Sequence, residues 1–544
     1  MSLLFLLLFR LFFLQISGFQ RFSDMAAEQH NRVLKVEPRR GALYDGRMEP
    51  LAISLDSKSV YADPRIVEDK EDVSRALSGI LGIHEDVLIE RLNREKSFVW
   101  LQRKLDESRV DRIKELNIKG VNFLTESKRH YPNDNMASHV IGFVGIDNEG
   151  LEGIELQYDA KLKGKPGWKY LVRDAKRRTV LFNEKDSIPP RNGYNIVLTI
   201  DSVVQCIAEE ELLKMTSRYR VKSATAIVME PFSGKILALA NYPDYNLNAF
   251  SETPEKNIKN ASISSVFEPG SVFKVVTASA ALEEKRFDPE DRIYCEEGSY
   301  RAGGRILHDF HRFGELAFRD VIARSSNIGT VKVAQALGED LVYKYVCRFG
   351  FGEKTGIDLP GEVSGISRHP CEWSGSDITT IPIGQGIAVT PIQLACAISV
   401  IANGGFLVKP QVIDWITTWE GELYRQYAQV TKSRVLSEET SNKMKDILRE
   451  VVVRGTGRLA DSELYETCGK TGTAQMVDPE GGYYPNKYNA AFIGFAPKER
   501  PLVSVVVVAR DPRPVYFGGK VAAPTFKNIT ERTLQYLGSN RNKK

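Results

Sequence analysis

Three short runs in this chain carry the residue types of covalent acyl transfer: Ser271-Val-Phe-Lys274, Ser325-Ser-Asn327 and Lys470-Thr-Gly-Thr473. A serine hydroxyl is a weak nucleophile until a neighbouring base takes its proton. Residues three apart face the same side of a helix, so the Ser271 hydroxyl and the Lys274 amine can meet. Pro269-Gly270 precede the serine, and Val272, Phe273, Val275, Val276, Ala280 and Leu282 follow, which predicts the start of a largely buried helix. Burial lowers the pKa of a lysine, so a neutral Lys274 could accept the serine proton. On its own such a run is more often surface helix, a capping serine followed by a lysine that reaches for the surface.

Ser325-Ser-Asn327 falls between two helical patterns, 315–324 and 328–337, and predicts a short connection between buried helices. Serine and asparagine are favoured helix caps, so a plain capping turn is one reading. In the other, Ser325 and Asn327 both point into one cleft, Ser325 relaying a proton between Lys274 and a leaving group while the Asn327 amide holds substrate backbone. Lys470-Thr-Gly-Thr473 stands ahead of two strand-like runs, 490–495 and 503–508, and fits a strand edge. There Gly472 would let substrate backbone approach, while Lys470, Thr471 and Thr473 offer charge and hydroxyls to a carboxylate. Order and spacing add weight to the set: Ser325 lies 54 positions after Ser271, and Lys470 lies 143 after Asn327.

These motifs, in this order, resemble those of the class B, monofunctional penicillin-binding proteins, which are membrane-anchored peptidoglycan D,D-transpeptidases. The likeness extends over nearly the whole chain. Arg40-Gly-Ala-Leu-Tyr-Asp45 and Gly150-Leu-Glu-Gly-Ile-Glu155 resemble the family's pedestal motifs, which β-lactamases lack. Phe267-Glu-Pro-Gly270, Gly384-Gln-Gly386 and Thr390-Pro-Ile-Gln-Leu-Ala395 resemble its catalytic part, the first leaning towards the division or sporulation branch. Gly46 and Leu247 depart from the pattern, standing where the family carries arginine and proline.

The resemblance implies an α+β fold of the serine β-lactamase and penicillin-binding transpeptidase type, an antiparallel sheet packed with helices. Its catalytic residues are Ser271, Lys274, Ser325 and Lys470, and its substrate-binding residues Asn327, Thr471, Gly472 and Thr473. The N–H groups of Ser271 and Thr473 would bind the oxyanion. No metal or organic cofactor is called for. The implied substrate is the peptidoglycan stem pentapeptide, β-lactams are covalent inhibitors, and the implied partners are a membrane glycosyltransferase and other division proteins. Two other outcomes remain open: a D,D-carboxypeptidase or β-lactamase that gives the acyl-enzyme to water, and a non-catalytic β-lactam sensor or division scaffold. Against a lactamase, no Glu-x-x-Leu-Asn run lies between Asn327 and Lys470 to supply a deacylating base.

Composition bounds the rest. With 544 residues the chain is long enough for two or three substantial cores. Lysines and arginines number 74 against 70 acidic residues, so charge gives no argument for nucleic acid. Six cysteines show no paired spacing, and none lies early enough to carry a lipid anchor.

Residues 1–18 are expected to be a transmembrane anchor, although the apolar stretch 2–17 covers only roughly 24 Å of a hydrocarbon core of roughly 30 Å. Arg21, Arg32, Lys35, Arg39 and Arg40 follow it, and the positive-inside rule taken literally would keep the large domain in the cytoplasm. Arg10-Leu-Phe-Phe-Leu-Gln15 instead resembles the outer end of the family's anchor. The expectation is therefore a single pass in the cytoplasmic membrane, begun inside the anchor, with the catalytic domain outside; a cleaved signal peptide is the alternative.

Residues 19–190 are expected to form an elongated mixed pedestal with helices over 73–94 and 110–116, and 195–538 the transpeptidase domain. Within the latter, 201–215 and 440–453 read as helices. The run 224–229 pairs with 235–240 across Pro231-Phe-Ser-Gly234, and 478–489 reads as a mobile loop beside the site.

Overall fold

The computed structural model describes residues 2–17, 31–173 and 179–541. At its centre is a five-stranded antiparallel sheet in the order Ile236–Tyr242, Ser223–Met229, Val503–Arg510, Tyr483–Ala496, Cys468–Val477. Alternate residues of these strands enter two different apolar clusters, Ile227, Ile493 and Val506 on one face, and Val228, Phe492 and Val505 on the other. A strand buried on both faces has no polar side to show, which is why residues 503–509 read Val-Ser-Val-Val-Val-Val-Ala.

The helices Ser202–Tyr219 and Gly518–Arg541 supply Val204, Leu212, Phe526 and Ile529 to one cluster. Lys274–Glu283, Pro391–Ala402 and Glu438–Val453 supply Val275, Ile392, Leu394, Met444 and Ile447 to the other. Local caps fix where these helices begin. Asp201 accepts from the N–H groups of Val203 and Val204, and Thr390 with Gln393 forms a reciprocal capping box. The fold is α+β, with a mixed N-terminal pedestal ahead of the five-stranded sheet.

In the pedestal the long strand Pro50–Ala62 pairs with Val121–His130 along one edge and Val99–Leu105 along the other. The helices Lys70–Leu81, Glu85–Leu92 and Glu107–Glu115 bury Leu77, Leu81, Leu88, Leu92, Val110 and Ile113 in its own core. The single helix expected over 73–94 is two, because Gly82 takes the left-handed conformation at φ +68° and ends the first. Below this region Leu43–Tyr44 pairs in parallel with Asn195–Leu198, which in turn pairs with Ile413–Thr417. Hydrogen bonding therefore runs continuously from pedestal strands to strands of the C-terminal half.

The two pedestal motifs meet. Arg40 is fully buried and donates to Glu155 Oε2 and Asp159 Oδ1, both at 2.6 Å, while Arg129 reaches Glu155 Oε1 at 2.6 Å. Buried carboxylates and guanidiniums are tolerated only when paired this closely. Gly46 brings no side chain to the joint, but Arg47 beside it reaches Asp201 Oδ2 at 3.1 Å and lies over the Tyr536 ring.

The stretch expected to be a mobile loop is largely ordered strand: the turn is confined to 478–482, and the last strand but one resumes at Tyr483. All six cysteines are free thiols. At the N-terminus Ser2–Phe12 is an α-helix of 11 residues continued by a π-helical segment, Phe13–Ser17. Among the described residues no helix is long and apolar enough to cross a membrane. Residue 18 and Arg21 lie outside the described residues.

Candidate active site

The turn Gly270–Phe273, which carries Ser271, runs directly into the helix Lys274–Glu283 and packs against the edge strand Cys468–Val477. Two close approaches set it there. A Cβ on Gly472 would lie 2.8 Å from Val272 Cγ1 and 2.9 Å from the Pro269 carbonyl oxygen, so the glycine brings the strand onto the nucleophile's turn. This packing alone calls for glycine at 472. A Cβ on Gly384 would lie 2.1 Å from the Gly270 carbonyl oxygen, which explains the second glycine-bearing motif: it backs the same turn.

Lys274 is fully buried and spends its donors on the Ser325 carbonyl oxygen at 2.7 Å, Asn327 Oδ1 at 2.8 Å and Ser325 Oγ at 3.3 Å. Burial pushes its pKa down to about 7, against the attraction of Asp309. Lys470, equally buried, reaches the same Ser325 Oγ at 2.9 Å and the Thr471 carbonyl oxygen at 3.2 Å. Burial, and after it the charge of Lys274, hold the Lys470 amine well below the ordinary lysine range. A hydroxyl has two acceptor positions and one hydrogen. With both amines charged, Ser325 could only accept from them; with one neutral, it can donate to that nitrogen.

Ser271 is partly exposed, and no hydrogen bond of its hydroxyl is found among the described residues. The expected contact with Lys274 is replaced by the lysine's bonds to Ser325 and Asn327. Catalytic hydrogen bonds in unliganded sites are often long and close only with substrate.

The Ser325-Ser-Asn327 triplet divides its labour. Ser325 takes φ +62°, an unusual conformation for a residue with a side chain, and this turns its hydroxyl to the two lysines. Ser326 does the capping, accepting from Gly329 N–H at 2.9 Å at the head of the helix Asn327–Leu337. Asn327 uses Oδ1 for Lys274 and one Nδ2 hydrogen for the His308 carbonyl oxygen at 3.0 Å, which leaves one amide hydrogen for a ligand.

On the opposite wall the Thr471 hydroxyl pairs with that of Thr456 at 2.6 Å, and Thr473 Oγ1 accepts from Gly518 N–H at 3.0 Å. The Thr473 carbonyl oxygen lies 3.1 Å from the Cβ position of Gly270. A residue's N–H and C=O leave a strand on the same side, so the Thr473 N–H also faces the turn of Ser271.

Ser271, Ser325, Asn327, Thr471 and Thr473 all line one cleft of about 590 Å³. Lys274 and Lys470 lie buried behind it. Phe310 and Phe517 also line the cleft and meet edge to face, with ring centroids 5.4 Å apart. Among the described residues no aspartate or glutamate lines it.

Three contributors escaped sequence reasoning. Asp309 accepts from the N–H groups of Asn327 and Ile328 and from the Ser326 hydroxyl, and its charge acts on Lys274. It stands in a loop with no motif of its own. Thr456 lies in the glycine-flanked run Arg454-Gly-Thr-Gly457, which names no partner. Glu268 accepts from Gly386 N–H at 2.8 Å and from the Tyr483 hydroxyl at 2.9 Å, tying the nucleophile's loop to the long hairpin, and burial raises its carboxyl pKa.

Comparison with known proteins agrees with the arrangement. Residues 224–531 match the penicillin-binding protein transpeptidase domain, and residues 35–198 the penicillin-binding protein dimerisation domain. The chain belongs to the penicillin-binding protein family. It is 36% identical over 538 residues to stage V sporulation protein D of Bacillus subtilis, covering 97% of this chain and 83% of that one. To peptidoglycan D,D-transpeptidase FtsI of Escherichia coli it is 33% identical over 515 residues, covering 93% and 85%. Among solved structures, penicillin-binding protein 3 of Mycobacterium tuberculosis complexed with aztreonam superposes with a TM-score of 0.74 at 26% identity, over 93% of this chain and 97% of that one.

Proposed function

We propose that this protein is a peptidoglycan D,D-transpeptidase that works through a Ser271 acyl-enzyme. The observation that carries the reading is the Ser325 hydroxyl held between two buried lysines in the cleft that Ser271 lines. Neutral Lys274 takes the Ser271 proton as Oγ attacks the carbonyl of the penultimate D-alanine in a stem pentapeptide. The N–H groups of Ser271 and Thr473 stabilise the tetrahedral oxyanion, the electrostatic contribution expected to weigh most. Ser325, polarised by Lys274 and Lys470, protonates the departing D-alanine amine. Thr471 and Thr473 hold its carboxylate, and Asn327 the stem amide. An amine of a neighbouring stem then attacks the ester and forms the cross-link. β-Lactams enter by the same first step and remain as esters.

Among the described residues the cleft walls carry no carboxylate, which supports transfer to an amine over hydrolysis, since water would lack that kind of base. In this reading residues 1–18 hold the chain in the cytoplasmic membrane by a single pass. Residues 19–190 form the pedestal and 195–538 the transpeptidase domain, both on the outer side of that membrane. Likeness to a stage V sporulation protein and to a peptidoglycan D,D-transpeptidase supports a role in septal wall synthesis, beside a membrane glycosyltransferase and other division proteins.

The test supplies a stem-peptide thioester with a D-amino acid and follows products by mass. Acceptor-dependent exchange should exceed hydrolysis, and Ser271→Ala should abolish both. Hydrolysis that no acceptor diverts would retire the transpeptidase in favour of a carboxypeptidase.

A further inference from the structure

Arg40, Arg103 and Arg129 give up solvent in exchange for carboxylates: Arg40 pairs with Glu155 and Asp159, Arg103 with Glu126 and Asp147, and Arg129 with Glu155. Arg510, at the end of the strand Val503–Arg510, has no such partner. It is half-buried, burial pulls its pKa down from the ordinary arginine value, and no neighbouring charge offsets that cost. Among the described residues its guanidinium makes no ion pair and no hydrogen bond. Arginine does not shed its proton in a protein, so the charge remains and calls for a counter-charge.

The strand ladder explains the missing acid. Residues directly opposite one another in antiparallel strands share a face, and those opposite Arg510 are Asn489 on one side and Ser223 on the other. Both are neutral. Asn489 is buried with its Oδ1 unpartnered, so amide and guanidinium do not satisfy each other. Asp511, next in the chain, is engaged by Lys222 at 3.7 Å and Arg513 at 3.3 Å. Arg510 lines a cavity of about 20 Å³ together with Ser223, Thr225, Ser265, Phe267 and Val508. The Thr225 hydroxyl gives its hydrogen to Asn241 Oδ1 at 2.8 Å. Those of Ser223 and Ser265 make no hydrogen bond among the described residues, so both can donate into the cavity.

We propose that this cavity is a halide site, holding chloride between the Arg510 guanidinium and the hydroxyls of Ser223 and Ser265. Its volume admits one water-sized particle. A water fits the space but leaves the charge uncompensated, whereas a carboxylate or phosphate brings the charge and exceeds the space. Chloride meets both conditions. The ion joins the end of the central sheet to residues 265–267, the segment that leads into the turn of Ser271. The site is separate from the catalytic cleft and does not rest on the transpeptidase reading.

The experiment takes the full chain in detergent at constant ionic strength, with gluconate as the replaced anion so that screening does not change. Chloride, bromide, acetate or phosphate is titrated in, and thermal unfolding is followed beside the broadening of the chloride resonance in NMR. Chloride and bromide should raise the melting temperature saturably, as a ligand of the folded state does, while acetate and phosphate should not. Arg510→Met should weaken chloride binding at least about tenfold, the scale of a lost charge-assisted hydrogen bond. Asn489→Asp keeps the guanidinium but sets a carboxylate opposite it, and should lose the halide response as fully. Circular dichroism verifies both folds. The bromide arm needs no variant: in crystals grown with bromide, anomalous density should lie beside Arg510. A wild type indifferent to halide, a response shared by acetate or phosphate, a response kept by both variants, or bromide density absent from Arg510 would overturn the inference.

Discussion

Acylation by penicillin should follow the deprotonation of Lys274, and Asp309 should set where that happens. With a pKa of about 7, the amine is neutral in about a tenth of molecules at about pH 6, half at about pH 7 and nine-tenths at about pH 8. If the neutral amine is the base, the second-order acylation rate climbs about tenfold across that interval and then levels. The attraction of Asp309 holds the Lys274 pKa up. Asp309→Asn keeps an oxygen for the Asn327 and Ile328 N–H groups but removes the charge. Losing a negative neighbour disfavours the charged lysine, so the midpoint moves below its wild-type position and the rate at about pH 6 rises. The gain cannot exceed about tenfold, because the neutral fraction has only that far to go. The assay is labelling by a fluorescent penicillin at a series of pH values, with circular dichroism to verify the fold. A profile flat between about pH 6 and 8, or an Asp309→Asn midpoint moved upward, would refute the assignment of Lys274 as base.

Other expectations come from the packing. Gly472→Ala forces a methyl within 2.8 Å of Val272 and 2.9 Å of the Pro269 carbonyl oxygen. It should cost about 1–3 kcal/mol in thermal stability and slow acylation at least about tenfold by moving the strand off the nucleophile's turn. Arg40→Met leaves Glu155 with one guanidinium fewer in a buried site and should cost about 3 kcal/mol in chemical denaturation, without altering the pH midpoint of acylation. Lys274 binds its proton up to the ordinary lysine value of 10.5 when unfolded and only up to about 7 when folded. The unfolded chain therefore holds more protons between these values, so stability should rise with pH in that window, and Lys274→Met should flatten the slope seen in melting experiments.

Much of the site was legible because its chemistry is local in sequence. Ser271 and Lys274 are one helical turn apart, and the hairpin around Pro231-Phe-Ser-Gly234 closes over a few residues, so spacing put each pair in one local element, though the lysine turns to Ser325 and Asn327 instead of the serine. The valine-rich run at 503–508 announced a strand buried on both faces. What the sequence concealed depends on distant segments. Asp309 matters only because the fold brings it to the head of the helix that begins at Asn327, and Thr456 only because its loop meets Thr471. The capping and catalytic readings of Ser325-Ser-Asn327 proved compatible, since the left-handed backbone at Ser325 gives the cap to Ser326 and the site to its neighbours. Why position 472 takes glycine is legible only with the facing element, since a methyl there would meet Val272 and the Pro269 carbonyl oxygen. The pedestal helix over 73–94 was drawn too long because a glycine inside an apolar pattern costs only about 1 kcal/mol and need not end a helix, whereas Gly82 does.

The most direct test of the acyl-enzyme is mass analysis of the protein after exposure to a fluorescent penicillin, wild type beside Ser271→Ala, with the adduct followed over time. One penicilloyl group should appear, map to the peptide containing Ser271, persist for many minutes at neutral pH and be absent from the variant. An adduct on another serine, full labelling of Ser271→Ala, or loss of the ester within seconds would contradict the account.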